Sequence, residues 1–214
     1  MNLKKFLEKC PFLYHLTSKN NTNHILKDWK LYSANYFFQL TSDQEILKFQ
    51  RNRRPQHLHL LINDSTIDIR DQRPISMVAL KKCLTNNWTG EDFLYYLNDR
   101  VFFWSNLKRL AIHYKRYQCE KPTLLRFSTS ELFELNNNPL FTNINTGATR
   151  CNPYLGGKPH MRGENTFQNS IDYNLPIHKV AEVTFLNECI LPNTFWIGSK
   201  PDGKWKFITN KRTQ

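Results

Sequence analysis

Glycine is scarce in this chain, with seven in 214 residues. No G-x-G-x-x-G follows a strand-like run and no G-x-x-x-x-G-K-[ST] occurs, so neither a Rossmann dinucleotide fingerprint nor a P-loop is supported. The pair Gly156-Gly157 is too short a signal to imply phosphate binding. The five cysteines, Cys10, Cys83, Cys119, Cys151 and Cys189, are odd in number and form no C-x-x-C. That spacing suggests neither a zinc knuckle nor a disulfide scaffold and fits a reducing, cytoplasmic setting. No H-E-x-x-H and no G-x-S-x-G elbow is present, and the seven histidines lack the close Cys or Asp partners of a compact metal site. No bound metal is expected. No apolar run approaches a membrane span, and Met1-Asn2-Leu3-Lys4-Lys5 leads into no long apolar segment, so neither an anchor nor a signal peptide is expected.

Acidic residues are also in short supply, with 18 Asp and Glu against 30 Lys and Arg, a net charge of +12. Such an excess attracts polyanions at long range, nucleic acid first among them. Aromatics are plentiful, with fifteen Phe, nine Tyr and five Trp, and 40% of the residues are hydrophobic. That is enough for a sizeable core, and residues 1–214 read as a single domain without internal repeat or linker.

Taken in order, residues 1–10 form a short helix ended by Pro11. Phe12 to Thr17 alternates as a strand, with His15 and Thr17 on one face. A short helix runs through His24, Ile25, Leu26 and Trp29, and another carries Ile46, Leu47 and Phe49. Arg51-Asn52-Arg53-Arg54 is the densest basic cluster, suited either to gripping phosphates or to plain solvation. Leu58 to Ile62 is a strand. Asp71-Gln72-Arg73-Pro74 opens a helix continuing through Ile75 to Leu84, with Pro74 in its first turn. Thr89 caps a helix whose apolar face is Phe93, Leu94 and Leu97. The central run Val101-Phe102-Phe103-Trp104 does not alternate in hydrophobicity, the pattern of a strand covered on both faces, or of one wall of a cleft. Ser105 caps the next helix, with Lys108, Arg109, Lys115 and Arg116 as a second basic surface. Leu124 to Phe127 is a strand, and Ser128 with Glu131 has capping-box spacing. Residues 136–170, rich in Asn, Pro and Gly, read as a long ordered loop or as hairpins. Its Arg150, Lys158, His160 and Arg162 suit an anionic substrate. Strands are expected at Val180–Phe185, Phe195–Ile197 and Trp205–Ile208, with a frayed tail from Asn210 to Gln214.

Three pieces stand out: Tyr14-His15-Leu16-Thr17, Arg100 to Trp104, and Ala181-Glu182-Val183. With Asp71-Gln72-Arg73-Pro74, Leu97 to Trp104 and Arg162-Gly163-Glu164-Asn165-Thr166-Phe167, their order and spacing resemble the ADP-ribosyltransferase fold. The likeness is nearest to DarT-like nucleic-acid ADP-ribosyltransferases and related small bacterial proteins, and it spans roughly residues 12–198. It implies an α+β fold, an ADP-ribosyltransferase-like split mixed or antiparallel β-sheet core with flanking helices. It further implies an enzyme that uses NAD as ADP-ribose donor to modify RNA or DNA, acting as a toxin or anti-phage effector, with a neutralising antitoxin as partner. On this likeness Glu182 is the catalytic carboxylate, and His15 and Thr17 hold the adenosine-side ribose. One of Arg51, Arg53 and Arg54 neutralises the pyrophosphate, and Phe103 or Trp104 stacks on nicotinamide in place of the family's tyrosine. Arg100, Lys108, Arg109, Arg116, Arg150, Lys158, His160, Arg162 and Glu164 are candidates for contacting the acceptor. Modification of a protein side chain, and a non-catalytic nucleic-acid-binding module, are the alternatives.

Overall fold

A computed structural model describes residues 1–152, 154 and 156–211, with only the backbone of Cys151 and Asn152. Pro153 and the last part of the expected tail, 212–214, lie outside the described residues. The chain runs α1 (Leu3–Lys9), β1 (Phe12–Thr17), α2 (Lys19–Asp28), β2 (Lys30–Tyr32), α3 (Ala34–Phe38), α4 (Gln44–Leu47), β3 (Leu58–Ile62), β4 (Ser65–Ile69), α5 (Met77–Lys81), α6 (Gly90–Asn98) and β5 (Arg100–Trp104). It continues through α7 (Leu107–Tyr117), β6 (Thr123–Ser128), α8 (Thr129–Leu135), β7 (Leu140–Thr142), β8 (Cys151–Asn152), β9 (Lys158–Pro159), β10 (Glu182–Leu186), β11 (Glu188–Ile190), β12 (Thr194–Gly198) and β13 (Trp205–Thr209). The architecture is α+β.

The main sheet has the order β13-β12-β6-β1-β5-β10-β7 and its neighbours pair antiparallel. Directly opposed residues in an antiparallel pair share a face. One face therefore carries Leu13, Val101, Phe103, Leu125, Phe127, Val183, Phe185 and Phe195, which pack as the main core with Phe6 of α1 and Leu132 of α8. The opposite face is only partly covered. Leu110 of α7 packs on Leu16 and Leu124. The α5–α6 layer, with Leu80, Phe93 and Leu97, is joined by Phe102 and Phe167. The β3–β4 hairpin packs its Leu60, Ile62, Ile67 and Ile69 against Phe37 and Phe38 of α3 as a separate cluster.

The sheet splits at its centre. β1 pairs with β6 over all six residues, but among the described residues its pairing with β5 is confined to Tyr14↔Trp104. Beyond that point the strands diverge. The first broken rung is bridged by a side chain: His15 Nδ1–H donates to the Phe102 carbonyl over 2.8 Å. A carbonyl only accepts, so Nδ1 carries the proton and Nε2 of the neutral ring is left as an acceptor.

Several expectations are corrected. The helix after Pro74 is shorter than Ile75 to Leu84. It covers Met77–Lys81, and the Ser76 hydroxyl, accepting from Ala79 N–H, caps it. Pro74 precedes the cap because Ser76 N–H is drawn away to Thr149 Oγ1 (2.7 Å), which ties this turn to the long loop. Asn106 rather than Ser105 caps α7, since buried Ser105 donates its hydroxyl to the Val180 carbonyl. Of the two readings of the central strand, cover on both faces is corrected and one wall of a cleft fits. Val101 and Phe103 are buried in the core while Phe102 and Trp104 on the other face are half-buried. For residues 136–170 the hairpin reading holds in part: β8–β9 form a hairpin, while β7 joins the main sheet. The very short strands β2, β7 and β11 carry too few residues for a legible period.

Candidate active-site cleft

The split opens into a cavity of about 280 Å³, near the small end for ligand sites. Its wall includes His15 and Thr17 of β1, Arg100 to Trp104 of β5, Glu182 of β10, His113 and Arg116 of α7, and the turn Asn145-Thr146-Gly147. The three pieces singled out in the sequence therefore meet at one cavity.

Glu182 lies directly opposite Trp104 and Thr142, with its side chain on the less covered face of the sheet. It is 4% exposed. Thr146 N–H donates to both carboxyl oxygens at 3.3 Å, and Thr146 Oγ1–H donates to Oε2 at 2.7 Å. Burial pushes the Glu182 pKa up to about 7, although the two Thr146 bonds and the charges of Arg109 and Arg162 pull against that rise. A carboxyl poised near neutrality in a cleft marks a functional candidate. His15 is displaced the other way: burial lowers its pKa to about 4, partly offset by the Phe102 carbonyl, so the ring is neutral at pH 7. His113, beside Trp104 at a ring separation of 5.2 Å, is lowered to about 3, first by burial and then by Arg70, Arg116 and His15. Two uncharged imidazoles thus face the same cavity.

The remaining expected residues separate. Phe103 is 1% exposed, with its ring edge-on to Phe127 and Phe185 in the core, so its ring is not free to stack on a ligand, and the half-buried rings of this strand are Phe102 and Trp104. Arg51 pairs with Asp92 at 2.7 Å and lies over Tyr95, away from the cavity wall. Arg53 donates to the Gln72 and Arg73 carbonyls. Arg54 reaches the wall, but its guanidinium is occupied by the Arg70 and Phe49 carbonyls and by Asn98 Oδ1. The expected pyrophosphate arginine is therefore not supplied by this cluster as it stands. The cations on the cavity wall beside Arg54 are Arg70, Arg100 and Arg116. Arg100 is buried between Tyr96 (4.0 Å) and Phe167 (4.7 Å), and its Nε and Nη1 have no hydrogen-bond partner among the described residues. Arg162 is a buried clamp on the His160 and Ala148 carbonyls, which positions the loop bearing Thr146. Lys108, Arg150, Lys158, His160 and Glu164 are exposed and off the cavity wall, with Glu164 accepting from Asn86. Arg109 is half-buried and acts on Glu182 through its charge. Thr146 and Arg70 carry no functional signal in the sequence, and His113 reads there as an ordinary surface or packing residue, yet all three reach the cavity wall. Each is an ordinary residue in its local pattern and reaches the cleft only through folding.

Arg54, Gln72 and Asn98 form one hub: Asn98 accepts from both other side chains and donates to the Phe49 and Gln50 carbonyls. Arg54→Ala is expected to cost about 1–3 kcal/mol, since it orphans buried acceptors. The urea midpoint of unfolding reads this, and an unchanged midpoint would show that the hub bears no load.

Among the described residues no group of three or more His, Cys, Asp or Glu is arranged to hold a metal ion. No helix among the described residues is long and apolar enough to cross a membrane. The model of a family of unknown function, DUF7002, matches residues 11–190. No curated protein and no solved structure matches significantly. These comparisons correct the descriptors drawn from the DarT likeness. The matched family carries no assigned function, so the labels of transferase, toxin, antitoxin-bound protein and antiviral effector do not pass to this chain by kinship.

Proposed function

The chain belongs to the family of unknown function DUF7002, and on the geometry of its cleft we propose that it binds NAD and transfers ADP-ribose to nucleic acid. The observation that carries this reading is the placement of Glu182. It is a buried carboxyl with a pKa near 7, beside the Trp104 ring and at the same cavity as an acceptor nitrogen of neutral His15. The sequence likeness stated above supports the same reading.

In this reaction the bond between the nicotinamide nitrogen and ribose C1′ breaks. Its electron pair leaves with nicotinamide, which departs neutral, and positive charge develops on the ribose. Ionised Glu182 stabilises that charge and orients the ribose hydroxyls, the kind of preorganised electrostatic contact that is strongest in a water-poor site. Thr146 holds the carboxylate in place. Trp104 offers an aromatic face to the nicotinamide ring. His15 Nε2 accepts from a hydroxyl of the adenosine-side ribose. A nucleophilic oxygen or nitrogen of the acceptor then bonds to C1′ and gives up its proton to the Glu182 carboxylate or to water. The net charge of +12 favours a polyanionic acceptor over a protein side chain.

The test is incubation with labelled NAD and separate pools of RNA, DNA and protein. Label in either nucleic acid supports the proposal. Label in protein alone transfers it to the protein-modifying reading, and intact NAD with no label in any pool sinks both. Activity is expected to rise with pH through about 7, because only ionised Glu182 assists and its ionisation is delayed to that range. A profile flat from pH 5 to 8 would argue against Glu182 in this role.

A further inference from the structure

The cross-strand register places one row of side chains on the less covered face of the main sheet. Phe207 of β13 opposes Trp196 of β12, Trp196 opposes Arg126 of β6, and Arg126 opposes Tyr14 of β1. Tyr14 opposes Trp104, and Trp104 opposes Glu182. At ~4.8 Å per strand, the row spans roughly 24 Å from the edge of the sheet to the catalytic candidate. Its inner part is shielded where Tyr114 and Leu110 of α7 pack near Tyr14 and Trp104. Its outer part is open: Phe207 is 52% exposed, and Phe12, Arg126, Trp196 and Trp205 are half-buried.

The outer part is built as a unit. The Arg126 guanidinium lies 4.9 Å from the Phe12 ring centre, 4.5 Å from that of Trp196 and 5.0 Å from that of Trp205. Phe207 and Trp196 meet edge to face at 5.3 Å. Trp205 lies against Gly198, where an added Cβ would come within 3.0 Å of the indole, so the missing side chain is what lets that ring lie close to the sheet. Arg126 Nε has no hydrogen-bond partner among the described residues. The turn of the β12–β13 hairpin carries exposed Lys200 and Lys204 against a single acid, Asp202. These strands lie beyond the residues matched by the family, so the platform uses chain outside the family's common region.

From this arrangement we propose that the outer sheet face is a stacking platform for single-stranded nucleic acid, leading the acceptor strand toward the cleft. Exposed rings on a sheet, interleaved with arginine and rimmed by lysine, take successive bases on their faces while the cations hold phosphates. Charge selects the occupant: an apolar protein segment gains nothing from a central arginine and a lysine rim, and a polyanion does. A duplex keeps its bases stacked internally and cannot use the rings. The inference deepens the proposed function by naming the acceptor as single-stranded, and it rests on that reading only for its purpose.

The test is binding of fluorescein-labelled oligo-U and oligo-dT to the full chain without NAD, with a duplex of equal length for comparison. Because no transfer is read, failure of the platform and failure of the proposed reaction are separable. The single strands are expected to bind more tightly than the duplex and to quench tryptophan fluorescence. Phe207→Ala is expected to weaken binding by about five-fold to a hundred-fold, the range for losing one stacked base, and Phe207→Trp to retain it. Phe207 stands half-exposed on an edge strand, so its loss leaves the fold intact, which circular dichroism checks. Equal duplex binding, absence of oligonucleotide binding, or unchanged affinity in both Phe207→Ala and Trp196→Ala overturns the proposal.

Discussion

Glu182→Gln is expected to lower ADP-ribosyl transfer by about 10²–10³-fold while leaving NAD binding within a few-fold of the parent chain. The amide keeps the size and hydrogen-bonding reach of the carboxyl but offers no anion to the developing ribosyl cation. The same substitution is expected to stabilise the protein above neutrality. The Glu182 pKa is raised in the folded state from the usual 4.5 to about 7, so between those values the native chain holds a proton that the unfolded chain has released. Stability contributed by this group therefore falls as pH rises through that window and stays low above it. Glutamine removes the penalty, so thermal scans should place the variant several degrees above the parent at pH 8 and close to it at pH 4.5. Loss of activity together with loss of stability at pH 8 would recast Glu182 as a structural residue. The histidines have the opposite sign. The folded-state values of His15 and His113, about 4 and about 3, lie below the usual 6.5, so their contribution is intact above 6.5 and lost on acidification.

The second large effect separates two neighbouring aromatics. Phe103→Ala is expected to destabilise the fold by about 3–5 kcal/mol, because its ring is wholly enclosed by Phe127, Phe185 and the rest of the core and a cavity remains when it is removed. Trp104→Ala, one residue on, removes a half-buried ring from the opposite face. Its expected signature is a raised KM for NAD with a much smaller shift in the urea midpoint. Trp104→Phe should recover part of the affinity. If Trp104→Ala bound NAD like the parent chain, Phe102 would be the remaining aromatic on that face of the strand.

The difference between these two rings also shows where the chain is readable. The strand over Phe12 to Thr17, the Thr89 cap and the Ser128 cap all follow from local residue chemistry and stand as read. Val101-Phe102-Phe103-Trp104 has no alternation to read, because the face bearing Phe102 and Trp104 is apolar enough to serve as core and only the open split leaves it half-buried. Arg51, Arg53 and Arg54 are alike in sequence. Their separate fates depend on Asp92, on two backbone carbonyls and on Asn98, partners distant along the chain.

The central strand and its companions at His15 and Glu182 were determined by the sequence as a set, since each is a short apolar segment carrying a polar residue whose burial demands a partner. Tertiary structure decided what that set does. It confined the β1–β5 ladder to a single rung, brought Thr146 from the long loop onto Glu182, and turned Trp104 outward while Phe103 turned in. The physical reason is that local pattern fixes which faces are apolar, whereas the opening of a cleft depends on where two strands stop pairing. That depends on packing between segments far apart in the chain.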